Sequence, residues 1–383
     1  MSRVELPEFI REVFDDVARR NVLIACSLAV FAVGLVPHLL SPGLPSAQEA
    51  IRQRPEIQNL FLLLAFTSTA TILIGGLVSD IYRHRSLMVG GLGVMTLGSA
   101  LSIVVDDGTV FYVSNFAAVA AAGVVLAYGI GSVAIAYSGI PRATALGFVY
   151  AAFGVGAAAS PVILTLRPVT IPSTDPAVPP GFTFDTTLAY ALAAIASAVA
   201  LWAAYRFVPK IPGNLPASPK VVAGVTTWSL SILAVVSGIL GFIGPGDDRL
   251  PLILAVGGAL GLLVMTLLLR RAGDALGPLL LDRKAVSAAL AVGITIGFAQ
   301  AVPLMLLPVV FEFPLHYGMI FAILALIPFG LALVLAGPIS GILLRRFGPR
   351  GIMSSGTLAL GLANIAMALA LLYMTGSVRD FYA

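Results

Sequence analysis

Charged residues are scarce in this sequence of 383 residues. The 22 Lys and Arg and the 18 Asp and Glu together make up 10% of the chain, against about 25% in soluble domains. Apolar residues make up 59%. This composition excludes an ordinary cytosolic enzyme, whose surface needs more charge, and a disordered protein, which has far fewer apolar residues.

Cysteine is almost absent as well. Cys26 stands alone, so the chain cannot form an intrachain disulfide, and its fold does not depend on an oxidising compartment. The apolar stretches also lack paired acids, His/Glu ligand sets and Ser/Lys or Ser/His sets, so we expect no enzyme activity, no metal and no cofactor. The net charge of +4 is spread over the loops, which argues against a nucleic-acid partner.

Long charge-free intervals account for most of the chain. Crossing a bilayer takes about 20 apolar residues in a helix, and backbone groups in lipid must be satisfied within the helix. The sequence therefore predicts an all-α polytopic membrane protein with about eleven transmembrane helices, a helix bundle whose partner is the lipid bilayer. The eleven intervals are 21–48, 57–79, 86–105, 108–141, 143–166, 186–205, 221–246, 250–269, 285–311, 313–344 and 351–378.

The basic residues predict the orientation. With a cytoplasmic N-terminus and alternating spans, 17 of the 22 Lys and Arg fall on the cytoplasmic side, as the positive-inside rule requires. We therefore predict a multi-pass protein of the cell (inner or plasma) membrane with its N-terminus in the cytoplasm.

Four regions follow along the chain. Residues 1–20 carry apolar residues at helical spacing and are either an amphipathic lead-in on the membrane surface or a solvated stub. Residues 21–208 form a six-helix bundle, and 209–284 form a linker with two extra spans. Residues 285–383 form an incomplete C-terminal bundle of three helices.

Two basic turns repeat one pattern. The segment GGLVSDIYRHR follows span two, and SGILLRRFGPR follows span ten. Each has a glycine four residues before a charged residue at the helix end, then a tight basic turn. Repeated halves are typical of secondary transporters.

These turns resemble the cytoplasmic loop motif of the major facilitator superfamily, G-x-x-x-D-(R/K)-x-G-x-(R/K). The copies lie 265 residues apart, against about 200 in twelve-helix members, so the resemblance implies two inserted helices. The sequence is similar to the fourteen-helix drug:proton antiporter branch. The resemblance then implies that helices twelve to fourteen are missing from the C-terminal end.

The resemblance implies a conformational latch at the two turns. In the family, the aspartate latches the two halves in the outward-facing state; the alternative is a basic loop that only sets orientation. For Arg345, Arg346 and Arg350 we favour orientation and packing. The predicted latch loop comprises Gly76, Asp80, Arg83, Arg85, Gly341, Arg345, Arg346, Gly348 and Arg350.

Span five carries a further resemblance. Gly147, Gly156, Ser160 and Pro161 are similar to that branch's antiporter motif in helix five, G-x8-G-x3-G-P-x2-G-G, although its last two glycines are absent. Pro161 predicts a kink, and the small residues predict close helix packing. The resemblance further implies antiport.

The candidate pocket residues are uncharged, and the candidate proton site lies close to the end of a helix. Polar residues in mid-span predict a pocket, although membrane-buried hydroxyls often bond only their own helix. The predicted pocket residues are Thr67, Asn115, Tyr128, Tyr150 and Gln300. No span carries a deep charge, so the titratable candidates are His38, Asp185 and Glu312, all near the outer ends. His38, which titrates near neutral pH, is the candidate proton site; a structural role is the alternative.

Together these features predict a secondary active transporter that works by alternating access. The scarcity of deep charge favours a small, apolar or neutral substrate, with drug/proton antiport, and hence efflux, as the mode that the resemblance implies. A non-transporting membrane receptor or partner-binding subunit of the same fold is the alternative.

Overall fold

The computed structural model describes residues 13–40, 84–104, 108–166, 168–171, 181–184, 186–210 and 326–382, and single positions at 71–72, 75 and 324 and between 227 and 264. These residues are nearly all helical, as predicted. The helices are α1 (Val17–Leu40), α2 (His84–Val104), α3 (Gly108–Ala136), α4 (Gly139–Thr165), α5 (Thr186–Phe207) and α6 (Ile327–Tyr382).

Seven segments within these helices are long and apolar enough to cross a membrane. They coincide with predicted spans one, three, four, five, six, ten and eleven. Helix α6 supplies two of them because it breaks at Gly348, where φ is 68°, a value that favours glycine. The predicted tight turn of the second repeat therefore lies at this break. Predicted spans two, seven and eight are described only in part, and span nine lies outside the described residues.

A short hairpin interrupts the helices between α4 and α5. Strand β1 (Pro168–Ile171) pairs antiparallel with β2 (Gly181–Phe184). The sequence predicts an all-α chain, with these residues lying between the intervals 143–166 and 186–205. Valine, threonine, isoleucine and phenylalanine occupy most of both strands, and these residues favour extended backbone.

Helix α1 forms the centre of the bundle. It packs against α3, α4 and α5, and α2 lies between α3 and α5. Small and medium residues such as Ala25, Cys26, Ala29 and Val30 are fully buried on α1. Small side chains let membrane helices approach closely, so α1 can contact three neighbours at once.

The ends of the helices lie on two sides of the bundle. We call the side that carries strands β1 and β2 the hairpin end and the opposite side the basic end. Three contacts define the basic end: the Arg85 guanidinium over the Tyr205 ring at 4.5 Å, Gly131 beside His84, and Gly341 beside Thr144. The described Lys and Arg that lie there are Arg19, Arg20, Arg85, Arg142, Arg206, Lys210, Arg346 and Arg350. The predicted cytoplasmic side corresponds to this end.

The segment before α1 is anchored to the bundle. The Asp16 carboxylate accepts a hydrogen bond from the backbone N–H of Ala18 at 2.8 Å and caps the start of α1. The Tyr137 hydroxyl donates to the Val13 carbonyl oxygen at 3.0 Å, and the Phe14 and Phe148 rings meet edge to face at 5.7 Å. Val13 and Phe14 are therefore packed rather than solvated.

Replacing Tyr137 with phenylalanine should lower the free energy of unfolding by about 1 kcal/mol, because the Val13 carbonyl loses its donor. Burial raises the pKa of Tyr137 to about 12, so the hydroxyl is a donor throughout the neutral range. Thermal unfolding of the purified protein measures the effect. Tyr373→Phe is the matched control because Tyr373 is 80% exposed; equal shifts in the two variants would contradict the anchor.

Candidate functional site

The most distinctive contact lies between α4 and the first arm of α6 (Ile327–Leu344). The two helices run antiparallel, and small residues follow each other at alternating spacings of four and three along both. On α4 these are Gly147, Ala151, Gly154 and Ala158; on α6 they are Gly330, Gly337 and Gly341, and the larger Val334 takes the remaining position of the row. We call this contact the glycine seam.

Backbone meets backbone at the glycine seam. A Cβ added at Gly147 would lie 2.5 Å from the Gly337 carbonyl oxygen, and one added at Gly337 would collide with the Gly147 carbonyl oxygen. Towards the hairpin end, a Cβ at Gly154 would lie 2.7 Å from the Gly330 carbonyl oxygen. Such reciprocal approaches place Cα–H groups against carbonyl oxygens, a weak attraction known between packed helices. Only glycine fits at these positions.

A second close contact joins the opposite side of α4 to α1. A Cβ added at Gly156 would collide with the Phe31 carbonyl oxygen, and one at Gly34 would collide with the Phe153 carbonyl oxygen. Helix α4 is therefore held between α1 and α6 by backbone contacts on both sides.

The four residues of the predicted antiporter motif divide between these contacts. Gly147 belongs to the glycine seam, and Gly156 belongs to the contact with α1. Ser160 is fully buried, and none of the described residues hydrogen-bonds its hydroxyl. Pro161 lies inside α4, where it removes one backbone hydrogen bond.

The predicted latch is described in part. Gly76, Asp80 and Arg83 lie outside the described residues. Arg85 contacts Tyr205, Gly341 lies against Ala143 and Thr144 in the glycine seam, and Gly348 forms the break in α6. Arg345 belongs to the same helix, and Arg346 and Arg350 are exposed beside the break. The second turn thus lies next to the start of α4.

Asn115 takes part in a hydrogen-bond network within the bundle. Its amide donates to the Ser102 hydroxyl at 3.0 Å and to the Phe111 carbonyl oxygen at 2.8 Å. Tyr190 on α5 is hydrogen-bonded to the same side chain. Asn115 is 1% exposed, so in this structure it joins three helices near the hairpin end rather than facing an open pocket.

The other pocket candidates have different surroundings. Tyr128 is fully buried and meets the His84 ring edge to face at 5.3 Å, whereas Tyr150 on α4 is 45% exposed. Thr67 and Gln300 lie outside the described residues, as does the side chain of His38, which belongs to the last turn of α1.

Gly154, Gly330 and Gly337 were not among the predicted site residues. Their signal was present as the repeated spacing of small residues four and three apart, which places them on one face of each helix. His84, a buried histidine at the first position of α2, was not predicted either, because this residue lies inside a basic turn where charge was the dominant pattern.

Comparison with known proteins gives one family. The family model described as Major Facilitator Superfamily matches residues 22–378. The human organic anion transporter MFSD10 (TETRAN) is a similar solved structure, 15% identical, covering 94% of this chain and 99% of that one, with a TM-score of 0.41. A mutant peptide transporter POT in complex with alafosfalin is 14% identical, covering 92% and 95%, with a TM-score of 0.44. No curated protein matches the chain.

Proposed function

The chain belongs to the major facilitator superfamily and is a multi-pass secondary transporter, not an enzyme, and from this we propose that it exchanges a small, neutral or largely apolar molecule for protons by alternating access. The proposal assigns it to the fourteen-helix drug:proton antiporter branch and predicts efflux.

The glycine seam is the observation that carries the proposal. Alternating access requires two bundles that rock against each other around a fixed site. The glycine seam has no long side chains that interdigitate between the two helices. The helices can therefore shift against each other while their backbones stay in contact. Gly147 and Gly337, on opposite sides of the seam, belong to the predicted first and second halves of the chain.

The seam also bears on the branch assignment. Because the Gly147 and Gly337 backbones touch, no further helix fits between α4 and α6. Gly258, in predicted span eight, lies against Ser231 and Val235 of span seven, which pairs the two extra spans with each other. Both observations support the placement of spans seven and eight outside the contact between the halves.

Charge placement supports a neutral substrate. In the described helices, Asp, Glu, Lys and Arg lie only at helix ends or at the break in α6. An ionic substrate buried in mid-membrane would need an opposite charge to offset its desolvation. A molecule that binds by apolar contacts and a few hydrogen bonds needs none.

Flux measurements in reconstituted vesicles test antiport. We expect a neutral lipophilic dye to be transported faster when a pH gradient is imposed, and a lipophilic cation to be transported poorly. His38→Ala should remove the dependence on the gradient if His38 carries the proton. Equal flux with and without the gradient in the unaltered protein would rule out proton coupling, and no flux of any compound would favour the non-transporting alternative.

A further inference from the structure

Helices α2 and α5 reach the membrane boundary together at the basic end. Arg85 is the second residue of the membrane-spanning segment His84–Val104, and Tyr205 is the third from last of Thr187–Phe207. The Arg85 guanidinium lies over the Tyr205 ring at 4.5 Å. Because the ring covers one face of the planar guanidinium, the N–H donors along its edge point away from the ring. An arginine held in this way is suited to bind a phosphate group.

Aromatic and basic side chains surround this stacked pair. Trp202 and Tyr205 are 61% and 60% exposed, and the Trp202 ring meets Phe207 edge to face at 5.8 Å. Arg206 and Lys210 are exposed as well. Trp and Tyr concentrate where a membrane meets water, so these residues have the composition of an interfacial surface. We call it the basic aromatic patch; it comprises Arg85, Trp202, Tyr205, Arg206 and Lys210.

The positive charge of the patch is not balanced in the part of the chain that the structure describes. Helices α2 and α5 contain no Asp or Glu. Among the described residues, Asp16 and Arg19 form an ion pair, and no carboxylate pairs with the three cations of the patch. Cations at the surface of a membrane attract anionic lipid. The charge of the patch therefore favours an anionic partner.

An open strip of α2 extends from the patch towards the hairpin end. Ser86, Gly90, Gly93 and Leu97 lie on one side of the helix. A Cβ added at Gly90 would meet nothing within 4 Å, and one added at Gly93 would lie 3.6 Å from the Leu201 Cδ1 atom. Leu97 is 66% exposed. Because the two glycines carry no side chain, this strip leaves room for a hydrocarbon chain beside α5.

We propose that the basic aromatic patch binds one anionic phospholipid in the leaflet at the basic end. The edges of the Arg85 and Arg206 guanidinium groups donate hydrogen bonds to the phosphate oxygens, and the Tyr205 ring fixes the position of Arg85. Trp202 lies about 7 Å inside the end of α5, where its amphipathic indole suits the boundary between headgroup and acyl chain. One acyl chain follows the open strip of α2.

The net charge of the headgroup decides which lipid fits. Phosphatidylglycerol brings a phosphate without a cation, whereas the amine of phosphatidylcholine would meet the cations of the patch. The ligand is therefore a phospholipid with a net negative headgroup. This inference does not depend on the proposed transport.

Quenching of Trp202 fluorescence tests the site. The chain has two tryptophans, so Trp228→Phe leaves Trp202 as the only one. The full chain is placed in phosphatidylcholine nanodiscs that contain phosphatidylglycerol or phosphatidylcholine with brominated acyl chains, which quench an indole on contact. Because each surface Lys or Arg strengthens the binding of an anionic lipid about fivefold, phosphatidylglycerol should bind at least about fivefold more tightly. Arg85→Gln with Arg206→Gln should make the two lipids equal.

Arg346→Gln with Arg350→Gln is the matched control, since it removes two exposed charges from the basic end outside the patch. It should leave the preference for phosphatidylglycerol unchanged. If Arg85→Gln does not fold, Arg206→Gln with Lys210→Gln tests the patch from exposed positions alone and should also lower the preference.

Three results would overturn the proposal. Equal quenching by the two lipids in the protein with an intact patch would show that the patch does not select anionic lipid. An equal loss of preference in the control and in the patch variant would show attraction to the whole basic end rather than a local site. Recovery of Trp202 fluorescence on addition of millimolar inorganic phosphate would show that the ligand is a soluble anion and not a lipid.

Discussion

Replacing Gly337 with leucine should lower transport at least about fivefold while leaving the six-helix bundle folded. Its Cβ would collide with the Gly147 carbonyl oxygen, and a leucine side chain needs still more room. Overpacking of this kind costs about 1–3 kcal/mol or more. Because the collision occurs in the register of α4 and α6 seen here, the cost falls on that state, and a bias of that size shifts the balance between states about 5–150-fold.

A matched leucine on the same helix provides the control. Gly361 also lies in α6, but a Cβ added there meets nothing within 4 Å, so Gly361→Leu should leave transport unchanged. Flux into vesicles, normalised to the amount of monodisperse protein, compares the two. Wild-type flux in Gly337→Leu would show that the glycine seam does not take part in the transport cycle.

The pattern of small residues predicted close packing on α4, but not its arrangement. Gly147 and Gly156 are nine residues apart, and nine residues at 3.6 per turn end on the opposite side of a helix. The spacing alone therefore shows that the two glycines cannot share one contact. The partner of Gly147 could not be predicted, because Gly337 is far away in sequence and nothing local encodes which small-residue faces meet.

Polar residues in mid-span illustrate a second limit. Asn115 and Tyr150 looked equivalent in the sequence, as uncharged polar residues within apolar intervals. In the structure Asn115 is hydrogen-bonded within the bundle, and Tyr150 remains exposed. A hydrogen bond depends on residues from several helices, here Ser102 of α2 and Tyr190 of α5, so its presence follows from tertiary packing rather than from the pattern of any one helix.

The contact between α4 and α1 should respond to leucine differently from the glycine seam. Both of its helices belong to the predicted six-helix bundle, and α1 lies at the centre of the described helices. At Gly156 a Cβ would collide with the Phe31 carbonyl oxygen and would lie 2.8 Å from the Leu35 backbone nitrogen. Neither backbone can move without separating α1 from the neighbours that it buries.

We therefore expect Gly156→Leu to prevent folding, not merely transport, at a cost of about 3 kcal/mol or more from a marginal total stability. The yield of monodisperse protein in detergent measures the effect. Gly90→Leu on α2 is the control, since a Cβ at Gly90 meets nothing within 4 Å. Normal yield with lost flux in Gly156→Leu would instead mean that α4 moves against α1 during transport, and that the bundle is not one rigid body. Low yield in Gly156→Leu beside normal yield in Gly337→Leu would assign the first contact to folding and the second to motion.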